Sequence, residues 1–468
     1  MRGNRPVELY AILYLPWLLS ILLDFSPVLS YLTAWLGSFF IFYVTLSGNL
    51  RQLPQDREIA DQLMRPIFLV HIIFAGYMCS TSIFYFMEVL GYTNFNAPGA
   101  FYLVDEQKLQ LTAQCQRYYC LGHAAFVTGI LAFMKYPIKQ KYYVGKEKIA
   151  NLLFVVAIVT LPLSTVFLMI KGLAQFYYQF SSLSFIAGTL ALAFAIPMRK
   201  TMNTFVCVLL YGFNFSQALI SGFKEPIIIS VLVLGIFLYP NYKRVVVITV
   251  VPTLLALFLL LPTYNRVFRA NSWAGETTDD QAAQLALQAA LNSDDKEGDS
   301  NWGFYAYRFS EIDMFTNFVQ STPEKVPFYG TKLLEQSAIV LVPRVFWPSK
   351  PVTEQMVMER VYDANVINRG SNVSAKPAYI VDAYLCYGGW GVFLFLFLYG
   401  VVCQVISHQA EQLFGGYVLG TALVFSGMFQ ILWRGLSFEF LINSVFWSYV
   451  SMLVLFRIFR ALNILKPV

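Results

Sequence analysis

"EPIIISVLVLGIFLYPNYKRVVVITVVPTLLALFLLLPT" occupies Glu225–Thr263. Two apolar runs, 226–240 and 245–263, are split by the polar Asn-Tyr-Lys-Arg at 241–244. A bilayer's hydrocarbon core is about 30 Å thick, and a helix crosses it with roughly 17–25 apolar residues. The second run is long enough; the first is short but has charge at both ends. The stretch reads as two membrane helices joined by a basic turn. Lys243 and Arg244 resist translocation, which places that turn on the cytoplasmic side.

The same pattern recurs outward in both directions. The chain is 57% hydrophobic and only 13% charged, with a mean hydropathy of +0.57. Soluble domains carry about 25% charged residues, so an ordinary soluble protein is excluded. About twelve spans are expected: 8–24, 29–47, 66–90, 118–134, 151–170, 179–197, 202–222, 226–240, 245–263, 378–404, 415–433 and 440–456. No small-residue cleavage site follows the first run, so it is expected to be a membrane helix and not a removed signal peptide.

Alternating the spans from a cytoplasmic N-terminus puts 17 Lys/Arg on the inner segments and 5 on the short outer ones. That is the bias expected of cytoplasmic loops, and it places both termini inside. The expected fold is an all-α polytopic membrane protein. Residues 1–263 form a membrane domain of about nine helices, 264–377 one large extracytoplasmic loop, and 378–468 about three further helices.

Within the loop, the Ala/Gln/Leu core of 277–300 favours a helix, with N-cap candidates at Thr277–Asp280. Residues 304–321 and 331–343 read as two more helices, the second ended by Pro343. No internal repeat appears. Six scattered cysteines fit small apolar helix positions, although Cys115 and Cys120 are close enough in sequence to bridge. His71, His123 and His408 are far apart in sequence, and no metal site is expected.

Ionisable groups at a membrane face mark function. On the outer side these are Lys224, Glu225, Arg266, Arg269, Arg308, Glu311, Asp313, Arg344, Asp382, Arg434 and Glu439. Arginine forks grip phosphate oxygens bidentately. A cationic site under a lid rich in Tyr, Phe and Trp suits an amphipathic ligand: a lipid tail, a diphosphate and sugars. Each residue also has a plainer role. Lys224 could snorkel, Arg266 and Arg269 anchor at the interface, Arg308 and Glu311 pair on a helix surface, and Asp382 cap a helix. Arg434 is harder to explain this way, being a lone cation in a short apolar link.

"VPRVFWPSKP" (342–351), its sequel "SNVSAKPAYIVDAYLCYGGWG" (371–391), the turn "SGFKEPIIISVLVLG" (221–235) and the link "ILWRGLSFEF" (431–440) complete the pattern. Together, across roughly 215–445, these resemble the bacterial Wzy-type polymerases of O-antigen, capsule and enterobacterial common antigen. The chain departs from that family in two places. Lys224 stands where an arginine is expected, and the acid of the link is displaced to Glu439.

The resemblance implies a GT-C-like glycosyltransferase in the bacterial inner membrane, with its site facing the periplasm. It would extend a glycan carried on undecaprenyl diphosphate by transfer to a new lipid-linked unit. Arg266, Arg308 and Arg434 would bind the diphosphate, with Arg269, Lys224 and Arg344 in support. Arg344 and Lys350 would face phosphate or glycan, and Trp347 would anchor the segment at the interface. Glu311, or failing it Asp382, would be the general base. No metal and no cofactor is implied. The partners implied are the lipid-linked glycan, membrane lipids and a chain-length regulator, with no nucleic acid. The rivals are an O-antigen ligase, a lipid-linked oligosaccharide flippase, and a scaffold without chemistry. The ligase family uses a histidine in its large loop, and 264–377 has none.

Overall fold

The computed structural model describes residues 7–170, 172–220, 224–272, 278–291, 298–370 and 374–468. The stretch 225–263 lies within one helical segment, Lys224–Ser272, broken at Tyr242 (φ −132°, ψ 44°). Pro240 just before the break withholds an N–H from the helical ladder. The two arms fold side by side. A Cβ on Gly235 would stand 2.9 Å from Val250 Cγ1, and Ile227 packs with Leu257 and Leu261.

The α-helices in chain order are α1 Leu15–Leu22, α2 Pro27–Leu46, α3 Tyr77–Ser80, α4 Ile83–Val89, α5 Glu106–Phe133, α6 Lys146–Met169, α7 Tyr177–Ala195, α8 Thr201–Ile220 and α9 Lys224–Ser272. The loop that follows holds α10 Asp279–Leu291, α11 Gly298–Arg308, α12 Ile312–Ser321, α13 Lys332–Leu341 and α14 Thr353–Asp363. The chain closes with α15 Tyr379–Leu413, α16 Ser426–Met428, α17 Ile431–Arg434 and α18 Phe438–Ala461. Two short strands, Tyr142–Tyr143 and Lys466–Pro467, pair antiparallel and tie the C-terminus to the α5–α6 linker.

Among the described residues, eight helical segments are long and apolar enough to cross a membrane. The expected spans 8–24, 118–134 and 415–433 are not among those eight segments. The first is a 3-10 helix running into the short α1. The second is the end of α5, whose opening turns carry Glu106, Lys108 and Arg117. The third is a π-helix, Val418–Phe425, followed by two helical fragments.

The centre of the bundle is the pair α5 and α15. Lipid offers apolar side chains no hydrophobic drive to associate, so membrane helices pack through small residues. Here a Cβ on Gly129 would stand 2.2 Å from the Phe397 carbonyl oxygen, and one on Gly400 would stand 2.0 Å from that of Phe126. Both glycines let backbone touch backbone. His71 and His123, distant in sequence, meet in this core with their Nε2 atoms 2.7 Å apart. Among the described residues no third His, Cys, Asp or Glu joins them. All six cysteines are buried and free, Cys115 and Cys120 included.

The helices expected in the loop divide differently. The 304–321 segment is broken between α11 and α12, and a further helix, α14, follows α13. Ala282, Ala286 and Ala290 form the buried stripe by which α10 packs on Tyr264 and Phe268 of α9. Thr277 lies outside the described residues.

Candidate functional site

The loop is fixed to the bundle by one buried arginine. Val357 and Val361 in "TEQMVMERVYD" of α14, and Ala364 just after it, repeat at helical spacing and are buried. Arg360 lies on that apolar stripe and is 2% exposed. Its guanidinium forks onto Asp382 of α15, with Nε and Nη2 donating at 2.9 and 2.8 Å. It forks again onto Glu439 of α18, with Nη1 and Nη2 donating at 2.8 Å each. Burial alone would lower the Arg360 pKa, but Asp382 and Glu439 outweigh it and hold the group above its ordinary value. Asp382 Oδ2 also accepts the N–H of Phe438 at 2.8 Å, which caps the start of α18.

Beside this clamp, α15 is broken. Tyr387 and Gly388 are non-helical, with Gly388 at φ 59°, ψ −138°. The break frees carbonyls of the preceding turn, and the loop supplies donors for them. Tyr329 N–H donates to Leu385 O at 2.9 Å and Gly330 N–H to Cys386 O at 3.2 Å. Phe328 packs on Gly388 and on Tyr384. Tyr329 Oη donates to Asp363 at 3.3 Å; burial first, and that carboxylate second, push its pKa up to about 12. A second aromatic contact joins the loop to α5 and α15, where Phe315 of α12 packs on Tyr118 and Tyr119 of α5 and on Tyr384 of α15.

The expected site residues fall into distinct settings. Arg434 is exposed at the end of α17, just before the link to α18, and has no hydrogen bond or ion pair among the described residues. Its neighbour Gly435 accepts the Tyr379 N–H at 2.6 Å, so Arg434 sits at the seam where α15 begins and the clamp closes. Arg308 ends α11 and Glu311 precedes α12; both are exposed. Glu311 has φ 56°, a left-handed conformation that a residue with a Cβ seldom adopts. Between them, Ser310 O accepts Tyr119 Oη of α5 at 2.9 Å, which ties this corner to the bundle. Arg266 is exposed and Arg269 half-buried near the end of α9. The Lys224 side chain lies outside the described residues.

The Trp-Pro segment differs from expectation. Arg344 donates to the carbonyls of Lys350 and Pro351 at 2.9 and 3.1 Å. Lys350 is 6% exposed and donates to Val340 and Val342 at 3.0 and 2.7 Å. Its pKa is lowered by burial and then by Arg344. Both cations donate to backbone carbonyls of the segment itself. They satisfy the carbonyls that α13 leaves open at its end and those of the following turn. Trp347 stays partly exposed, and Val345 packs on Gly172 between α6 and α7. Asp382, the second choice for a base, has both oxygens engaged by Arg360 and one also by a backbone N–H.

Arg360 was not among the expected site residues. Its signal was nevertheless present, as a lone cation on the apolar stripe of a short amphipathic helix. No curated protein and no solved structure matches the chain. A family model, described as a domain of unknown function (DUF8712), matches residues 15–467, and the chain belongs to that family.

Proposed function

We propose that the chain polymerises polyprenyl-diphosphate-linked oligosaccharide units at the outer face of a bacterial inner membrane. The observation that carries this reading is the Arg360 clamp. It fixes the large loop on α15 and α18 and leaves the unpaired, exposed Arg434 at the same seam. A diphosphate leaving group gathers negative charge as the glycosidic bond to it breaks, and a pre-placed guanidinium stabilises that charge. Glu311 is the exposed carboxylate near Arg308, on backbone whose strain is characteristic of functional positions. It serves as the base that takes the proton from the acceptor hydroxyl. Asp382 then acts as a counter-ion within the clamp. A chain-length regulator is the expected partner.

One observation favours a different class. A broken helix such as α15 is also how transporters line a substrate path. The two readings separate in one assay. Purified protein is given synthetic lipid-diphosphate-linked repeat units and the products are resolved on a gel. A ladder lost in Arg434→Ala and in Glu311→Gln supports the polymerase. No ladder, together with flipping of the lipid in liposomes, would replace it with the transporter.

A further inference from the structure

At the opposite end of α15 lies a groove of about 320 Å³ against the α5–α6 linker. Lys135, Lys141, His408 and Gln412 line its polar side, and Phe133 and Val405 its apolar side. The polar side is held in place. Lys141 N–H donates to Gln412 O at 3.0 Å, and Lys141 O accepts from Val468 N–H at 3.2 Å. That second bond extends the strand pairing of Tyr142 with Pro467. Gln409, which also faces the groove, accepts from Tyr449 Oη of α18 at 2.8 Å.

The charge of the groove is not balanced. Among the described residues, neither Lys135 nor Lys141 has an acidic partner. The one carboxylate on this end of α15, Glu411, is held by Arg65 through two bonds of 3.0 Å. The apolar side also continues beyond the groove. Leu394, Leu398, Val402 and Val405 are between 36 and 47% exposed and fall on one face of α15. That stripe is long, apolar and open to the surroundings of the bundle.

A free anion would use only the cations. A ligand with a charged head and an apolar chain uses both the cations and the stripe. The basic flanks also place this end of the bundle at the cytoplasmic leaflet, where anionic lipids attract Lys and Arg. We propose that the groove binds an anionic phospholipid, its headgroup phosphate between Lys135 and Lys141 and an acyl chain along Val405, Val402 and Leu398.

The test is native mass spectrometry of the full chain with phosphatidylglycerol or phosphatidylcholine of identical acyl chains. The wild type is expected to retain phosphatidylglycerol preferentially. The double variant Lys135→Gln/Lys141→Gln should lose roughly tenfold or more in that affinity, while Lys135→Arg/Lys141→Arg keeps it. Lys139→Gln, an exposed neighbour that does not line the groove, should have no effect. The proposal is overturned if the double glutamine variant, eluting as folded protein, binds phosphatidylglycerol like wild type. It is equally overturned if inorganic phosphate displaces the lipid, which would make this a free-anion site. A shift of the double variant to a different oligomer, with lipid binding unchanged, would assign the face to a second copy.

Discussion

Arg360 and Glu311 are single residues whose settings make opposite predictions. Arg360 is buried with two carboxylates, so its removal leaves two uncompensated charges out of water. Arg360→Ala should cost about 3–5 kcal/mol, read as a large fall in melting temperature in detergent. Arg360→Met with Asp382→Leu and Glu439→Leu should recover most of that loss, because buried triads are replaceable by apolar groups of similar size. If the single and triple variants melt alike, the clamp is not what secures the loop. Glu311 holds a left-handed φ of 56°. Glu311→Gly should therefore stabilise the fold by up to about 1 kcal/mol while abolishing glycan transfer. A variant both less stable and fully active would refute the strain and the catalytic role together.

Two features belong to elements. The break in α15 needs Gly388, whose φ of 59° and ψ of −138° suit glycine, and a Cβ there would stand 3.2 Å from Phe328 Cζ. Gly388→Ala is expected to cost about 1–3 kcal/mol and to loosen the docked segment 328–330. Hydrogen exchange at the Tyr329 and Gly330 amides should accelerate, and unchanged protection would show that these amides do not depend on the break. The α5–α15 contact needs Gly129 and Gly400, which admit a facing carbonyl where a side chain would stand. Gly400→Val should part the helices and abolish a folded, monodisperse preparation. A folded Gly400→Val variant would mean that the two helices repack without backbone contact.

Across the whole molecule, α15 is pinned at both ends in the same way. Arg360 holds Asp382 at its start, and Arg65 holds Glu411 at its end. Arg65 also forks onto Asp56 at 2.7 Å and lies over the Tyr136 ring at 4.1 Å. The hydrogen bonds from Arg65 are the main cause that holds the Asp56 pKa below its ordinary value of 3.8. The sign follows from linkage. The carboxylate is favoured in the folded state, so its contribution is complete above about pH 5 and fades as acid protonates it through its folded pKa. Asp56→Asn should therefore lower stability at neutral pH, and the difference from wild type should shrink as acid takes the pH down through the lowered folded pKa of Asp56. A difference that stays constant with pH would assign the loss to packing.

The sequence by itself pointed to the membrane class and to the positions of most long apolar helices. Hydropathy over twenty residues is a local property, and a bilayer reads it locally. It also singled out Arg434, because one cation in an apolar link needs no partner to be conspicuous. Tertiary structure alone decided what the polar residues do. It turned Lys350 inward onto the end of α13 and Arg344 onto the carbonyls of the following turn, and it paired His71 with His123 across 52 positions. It joined Arg360 to Asp382 and Glu439, which lie 22 and 79 residues away. Ion pairs and hydrogen bonds depend on distances of about 3 Å between atoms far apart in the chain. No local pattern encodes those distances; only the packing of the helices sets them.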